Sequence, residues 1–284
     1  MRSEELSDFH HEQSLEIERL LPAAARCEEE AIHQFRLCVK RLRAFYKAVE
    51  RVDSGFPSKE KEAEIKQVFK AAGNVRDVQV QRRLALQWQE VSRIALQGYL
   101  GHLEDLERDR RPPLQEACSA LPEDVLKQRQ QEIEGLLRSR PPEDLLKALD
   151  AYLEELVEQL HEMAAAEQKE DGRDGHDPHR VRILTKQIRY VAEAALSSHP
   201  RDARLAALVE SMKALHDPLG DWHDRRVATR FADRFLEENP SEIERERVKL
   251  FQRSMVEEEE AFLDAFRENW QAFAESSSTV GAGS

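Results

Sequence analysis

Apolar residues recur at helical spacing along nearly the whole chain. In the first segment Leu6, Phe9, Ile17 and Leu20 fall on one face of a predicted helix. Similar stripes continue to about residue 273, and no segment is predicted to be a strand. The pattern therefore predicts an all-α protein that is built from amphipathic helices.

Turn-forming residues divide the apolar pattern into separate helices. The run Asp53-Ser54-Gly55-Phe56-Pro57 is expected to end a helix that begins near residue 28. Gly73-Asn74 is expected to end a second helix. Pro112-Pro113 is expected to end a third, since proline removes a helical hydrogen bond. Asp177 with Pro178 predicts a helix start, because these residues suit the N-cap and the first helical position. The helices after residue 73 are expected to cover residues 74–111, 122–139, 142–169, 178–198, 201–215, 221–238 and 241–273.

The segment from Glu170 to Gly175 has the composition of a linker, with acidic residues and two glycines. It predicts a first helical half over residues 1–170 and a second over residues 171–275. The final segment, residues 276–284, consists of small or polar residues apart from Val280 and is expected to be disordered.

One motif of basic residues occurs in both halves and reads His-x-x-Arg-x-x-x-Lys-x-x-Arg. Its members are His33, Arg36, Lys40 and Arg43 in the first half and, 146 residues later, His179, Arg182, Lys186 and Arg189. At about 100° per residue, the four positions lie within roughly 80° of one helix face. We call this face the basic stripe. Lys47 and Arg51 extend the stripe in the first half, whereas Glu193 and Ser197 stand at the corresponding positions of the second.

Like charges at this spacing repel each other by about 0.2–0.5 kcal/mol per pair, so a basic stripe favours a bound anion. The alternative is a face that is solvated, or neutralised by Glu and Asp of neighbouring helices. Arg and Lys occupy the same positions in both copies, which favours a ligand. Arg offers a planar fork to phosphate oxygens, and Lys offers a mobile point charge.

A second block of residues repeats at an offset of 147. Gly73 and Gly220 suit the left-handed residue that ends a helix, and Asp77 and Asp224 suit a capping box at the start of the next. We therefore interpret these four residues as a structural corner. The basic members of the block are expected to contact the ligand; they are Lys66, Arg83, Lys213 and Arg230.

The net charge of −13 argues against attraction of the whole protein to nucleic acid or anionic lipid. Basic residues are nevertheless concentrated, because six lie between Arg36 and Arg51 against the single acid Glu50. The sequence predicts no membrane span and no signal peptide. Three widely spaced cysteines suit a reducing cytosol. We expect a cytoplasmic protein that binds a polyanion locally and does not bind a membrane.

The two repeated blocks resemble those of the CHAD family, the conserved histidine α-helical domain, over residues 3–275. The resemblance implies two helical bundles related by pseudo-twofold symmetry, with a basic central cleft or pore. It also implies binding of inorganic polyphosphate and association with polyphosphate granules. The eight residues of the His-x-x-Arg-x-x-x-Lys-x-x-Arg motif and the four basic residues of the second block match the family pattern. Tyr190 matches the aromatic residue that often follows the last Arg, whereas the first half has Ala44.

Two other functions were compared with polyphosphate binding. His179, His216-Asp217 and Asp224 could imitate the ligand set of an HD-type metal phosphohydrolase, although a metal is poorly placed among so many cations. Nucleic acid is not the expected partner, because the stripes lack interleaved aromatic residues for base stacking. We expect no catalytic residue, no metal and no cofactor. A phosphohydrolase, or a binder of another polyanion such as nucleic acid, remains the alternative.

Overall fold

The computed structural model describes residues 3–139, 142–169 and 177–281. These residues form ten helices and no strand, so the predicted all-α class is confirmed. The helices are α1 (Ser3–Ala25), α2 (Glu29–Val52), α3 (Ser58–Lys61), α4 (Ala63–Ser92), α5 (Gln97–Ala120), α6 (Val125–Ser139), α7 (Pro142–Lys169), α8 (Pro178–Ser198), α9 (Ala203–Glu237) and α10 (Glu242–Gly281). None of the helices in this part of the chain is long and apolar enough to cross a membrane.

Several predicted boundaries agree with the structure. Helix α2 ends at Val52 with Asp53 as its C-cap, and α7 has the predicted limits. Helix α8 begins with Asp177 as its N-cap, whose carboxylate accepts a hydrogen bond from the His179 N–H at 3.0 Å, and Pro178 follows in the first turn. The expected boundary between the halves, at residues 170–175, lies outside the described residues.

The predicted corner at Gly73, Asp77, Gly220 and Asp224 is wrong. Helix α4 passes through Gly73, and α9 passes through Gly220, without interruption. The chain breaks later, after Arg93, which takes the left-handed conformation with φ of 62°. Glycine in a helix interior costs only about 1 kcal/mol relative to alanine, and tertiary packing can override this preference.

Proline also fails to end two helices where the sequence predicted breaks. Pro112 and Pro113 lie inside α5, and Pro218 lies inside α9. Buried Leu103 and Leu114 lie on either side of the proline pair in α5. Burial of a leucine contributes about 1.5–3 kcal/mol, which offsets the hydrogen bonds that proline removes. Helix α10 continues to Gly281, through most of the segment that was expected to be disordered.

The described residues form three apolar cores, and two of these join the two predicted halves. In the largest core, Phe45 and Tyr46 of α2 lie in the same cluster as Ile188 and Val191 of α8. A second core combines α4 and α5 with α9 and α10. The third core lies within the first half, between α1, α2, α4, α5 and α6. Because α2 packs against α8, the fold brings the helices that carry the two basic stripes together.

Candidate functional site

The inner residues of the two stripes converge where α2 contacts α8. The charges of Arg182 and Arg189 act on Lys40, and the charge of Lys40 acts on Lys186. We call these residues, with Arg36, the cationic centre. The structure therefore brings together stripe residues that are 146 positions apart in the sequence.

Burial and like charges strongly affect the two lysines of the cationic centre. Burial, followed by the charges of Arg36 and Arg182, lowers the pKa of Lys40 to about 8. Burial, Arg182 and Lys40 lower the pKa of Lys186 to about 6. Both causes disfavour the charged ammonium. A bound anion would act in the opposite direction and restore the charge.

Neither lysine forms an ion pair with any residue in the described part of the chain. Asp224 is the acid whose charge partly offsets the effect on both lysines. Five other predicted site residues, which we call the margin of the site, do form ion pairs with protein carboxylates. These pairs are Arg43–Glu62 at 2.5 Å, Lys66–Glu62 at 3.5 Å, Arg51–Glu155 at 3.0 Å, Arg83–Glu29 at 3.4 Å and Lys213–Glu210 at 2.7 Å. Protein carboxylates therefore neutralise the margin residues, as the alternative to a bound ligand predicted, but they do not pair with Lys40 and Lys186.

Asp77 and Asp224 are electrostatic partners of the arginines and not helix caps. Asp77 is exposed at the surface, but partial desolvation by neighbouring protein atoms raises the pKa of its carboxyl. The charges of Arg36, Arg110 and Arg230 oppose this rise. Burial likewise raises the pKa of Asp224, while Arg182 and Arg83 oppose it. Asp77 is therefore near Arg36 and Arg110 of its own half and Arg230 of the other half. Asp224 is near Arg182 and Arg225 of its own half and Arg83 of the other half.

Arg36 is held by the protein backbone and by an aromatic ring. Its Nη1 donates to the Phe69 carbonyl oxygen at 2.6 Å, and its guanidinium lies 4.2 Å from the centre of the Phe69 ring. A Cβ at Gly73 would stand only 2.4 Å from Arg36 Nη1. Gly73 therefore provides the space that lets Arg36 approach α4, which explains why glycine suits this position inside a helix.

Tyr190 is buried and supports Arg189. Its hydroxyl accepts a hydrogen bond from Arg189 Nη2 at 3.1 Å, and the guanidinium lies 4.8 Å from the ring centre. The remaining predicted site residues are exposed and form no ion pair within the described ranges; they are His33, Lys47, His179 and Arg230.

Two histidines of α9 belong to the site but were not predicted as ligand contacts. His216 has 12% of its side chain exposed, and burial together with Lys186 and Arg189 lowers its pKa to about 2. Burial and Arg182 lower the pKa of His223 to about 4. His216 and His223 stand 147 residues after Phe69 and Arg76, the offset of the second repeated block. Because Phe69 contacts Arg36, this offset could have placed His216 at the site.

The described residues contain no group of three His, Cys, Asp or Glu side chains that could hold a metal ion. The charges of Lys186, Arg189, Arg182 and Lys40 act on His216, a proposed ligand of the phosphohydrolase alternative. These charges repel a divalent cation. The geometry suits an anion at this position.

The fold and the site define an all-α protein with a repeated basic motif. The chain belongs to the CHAD family, because the CHAD domain matches residues 13–233. Its structure is similar to the crystal structure of the CHAD domain from the plant Ricinus communis, with a TM-score of 0.67, 22% identity, and 95% of this chain and 91% of that chain covered. It is also similar to PptA from Streptomyces chartreusis, with a TM-score of 0.62, 18% identity, and coverage of 95% and 99%. No curated protein sequence matches the chain.

Proposed function

We propose that this protein binds inorganic polyphosphate without hydrolysing it, in the cytoplasm and at polyphosphate granules. The observation that carries the proposal is the cationic centre, where the charges of arginines act on Lys40 and Lys186 and neither lysine forms an ion pair with a carboxylate of the described residues. Such an arrangement is unfavourable in the free protein, and a polyanion would relieve it.

Polyphosphate suits the arrangement because it is a linear chain with a negative charge on each phosphate. Arginine forks and lysine ammonium groups both bind phosphate oxygens. The margin residues would continue the contact on both sides of the centre, and Asp77 and Asp224 would orient the arginines. Arg36 and Arg230 act on Asp77, and the equivalent residues Arg182 and Arg83 act on Asp224. These equivalent pairs support a pseudo-twofold relation of the halves around a basic cleft. Membership of the CHAD family supports the same ligand.

Thermal unfolding with two ligands tests the proposal. Long-chain polyphosphate should raise the Tm, whereas orthophosphate at equal phosphorus concentration should raise it little, because a single phosphate occupies only part of the surface. At a ligand concentration of 100 times Kd, the gain in stability is about 2.7 kcal/mol. Absence of a shift with polyphosphate would overturn the proposal.

Two further measurements distinguish the alternatives. A single-stranded oligonucleotide at equal phosphate concentration should stabilise the protein less than polyphosphate, since Arg36 and Arg43 already cover the Phe69 ring and Tyr190 is buried, which leaves these two rings unsuited to base stacking. No hydrolysis of polyphosphate, triphosphate or ATP is expected with Mg²⁺ or Mn²⁺. Turnover that disappears after substitution of His216 and Asp217 would instead establish the phosphohydrolase.

A further inference from the structure

The two copies of the basic motif differ in how many hydrogen bonds their arginines form with protein groups. In the first half, Arg36 donates to the Phe69 carbonyl at 2.6 Å and lies against the Phe69 ring. Arg43 donates to both carboxylate oxygens of buried Glu62, from Nε at 2.5 Å and from Nη2 at 3.2 Å. These two arginines are therefore already held by protein groups.

The equivalent arginines of the second half are not held in this way. Arg182 Nε and Arg189 Nε are both buried and without a hydrogen-bond partner within the described ranges. Arg189 Nε lies 3.5 Å from Glu193 Oε1, which is an ion-pair distance without a hydrogen bond, and Arg189 Nη2 donates to Tyr190. Buried donors without a partner are unfavourable, so they are rare unless a ligand completes them.

His216 explains much of the difference at Arg182. It stands 147 positions after Phe69 and so replaces, in the second half, the ring against which Arg36 lies. Its Nδ1 is 3.3 Å from Asp217 Oδ1, and its Nε2 is buried without a partner among the described residues. The charges of Lys186, Arg189, Arg182 and Lys40 all act on this imidazole, so all four side chains are near it.

We propose that Arg182, Arg189, Lys186 and Lys40, together with His216, form a discrete subsite for one phosphoryl group. This inference rests on the proposed function and adds an asymmetry to it. The second-half arginines bind the polyanion first and most tightly, whereas the first-half arginines mainly hold α2 against α4. The subsite suits a tetrahedral oxyanion, because planar arginine donors and lysine ammonium groups approach it from different helices.

The duplication supplies matched variants for the test. Arg182→Gln and Arg36→Gln change equivalent positions by the same charge. Calorimetric titration of the full chain with tripolyphosphate and with long-chain polyphosphate should show at least a tenfold rise in Kd for Arg182→Gln. For Arg36→Gln, which also removes a charge of the cationic centre, the rise should be clearly smaller than for Arg182→Gln. The free proteins should behave in the opposite way, with a lower Tm for Arg36→Gln and an unchanged or higher Tm for Arg182→Gln.

Equal losses of affinity in the two variants, or a larger loss for Arg36→Gln, would overturn the subsite while leaving polyphosphate binding in place. No binding by the wild type would overturn both proposals. His216→Phe is a second variant, since it gives Arg182 the ring that Arg36 has in the first half. It should weaken tripolyphosphate binding severalfold with little change of Tm, and unchanged affinity would remove His216 from the subsite.

Discussion

Lys40 of α2 acts directly on Lys186 of α8, and its charge lowers the pKa of the Lys186 ammonium. The two lysines occupy the same position of the repeated motif. They meet because apolar residues of α2 and α8 share the largest core of the protein. Burial of those residues therefore provides the free energy that holds two like charges together in the absence of a ligand.

Replacing both lysines with a neutral residue of similar shape should separate binding from stability. Lys40→Met with Lys186→Met keeps the apolar stems and removes the repulsion, so the free protein should be at least as stable as the wild type. Its affinity for long-chain polyphosphate should fall by tenfold or more. The dependence of log K on log salt should become shallower by about one to two, because two ion contacts are lost. Calorimetric titration at several salt concentrations measures both quantities.

Lys127→Met with Lys147→Met is the control for charge. Both lysines are exposed, lie on α6 and α7, and form no ion pair in the described part of the chain. The control removes the same two charges and should change the affinity little. A loss as large as that of the stripe variant would mean that only the total charge of the protein matters.

Polyphosphate binding should take up protons at pH 7.5. The pKa of Lys186 in the free protein is about 6, and that of Lys40 about 8, so part of their charge is absent at this pH. A bound anion favours the charged ammonium and raises both values. The bound state then holds more protons than the free state, so the affinity should decrease as the pH rises from 6 to 9.

Titration in buffers with different ionisation enthalpies measures the proton uptake directly. The uptake should be positive in the wild type and much smaller in Lys40→Met with Lys186→Met. Binding enthalpies that do not depend on the buffer, together with a constant affinity across this pH range, would contradict the prediction.

The sequence predicted the all-α class and the bounds of α7 and α8 well, because both depend on local patterns. The N-cap at Asp177 was predictable, since its carboxylate bonds to a backbone amide two residues away. The reason for a glycine at position 73 inside α4 was not predictable, because it involves Arg36, which is 37 positions earlier and needs the space of a missing side chain. Contacts between residues that are far apart in the sequence do not change the spacing of apolar residues within one segment, so periodicity does not predict them.

The cationic centre was only partly predictable for the same reason. Periodicity placed Lys40 and Lys186 on basic stripes, but it could not show which stripe residues find a carboxylate. Glu62, which pairs with Arg43, has no special pattern around it. Arg41 shows the same limitation, because it lies outside the stripe and yet pairs with Glu193 of α8 at 2.9 Å.

His10 should make the free protein less stable in mild acid. It is fully buried between α1, α2 and α6, where one ring nitrogen lies 3.0 Å from the Tyr46 hydroxyl and the other 2.6 Å from Gln130 Oε1. Burial lowers its pKa to about 4 from 6.5. The unfolded chain therefore binds more protons between these two values, and stability is lost as the pH falls through this window, by up to about 1.4 kcal/mol per pH unit.

Thermal unfolding at pH 7 and pH 5 checks the role of His10. The Tm of the wild type should be lower at pH 5. His10→Gln keeps a side chain that can bond to Tyr46 and Gln130 but cannot take up a proton, so its loss of Tm between the two pH values should be smaller. Equal losses in the two proteins would assign the acid sensitivity to other groups.

The two glycines of the repeated block should respond differently to alanine. At Gly220 the new Cβ would lie 3.6 Å from His216 Cε1, which is an ordinary contact. Alanine in a helix interior is about 1 kcal/mol more favourable than glycine, so Gly220→Ala should raise the free energy of unfolding by up to that amount. Denaturant unfolding of the free protein measures the change.

At Gly73 the gain from helix propensity should be cancelled. The new Cβ would lie 2.4 Å from Arg36 Nη1, so the guanidinium must leave the Phe69 carbonyl and ring. The lost hydrogen bond contributes about 0.5–1.5 kcal/mol, and the lost contact of the cation with the ring about 0.5–1 kcal/mol. Gly73→Ala should therefore be no more stable than the wild type. In the background of Arg36→Gln the same substitution should be better tolerated, and this difference is the coupling energy of the double-mutant cycle. A coupling energy near zero would show that Gly73 is present for a reason other than the approach of Arg36.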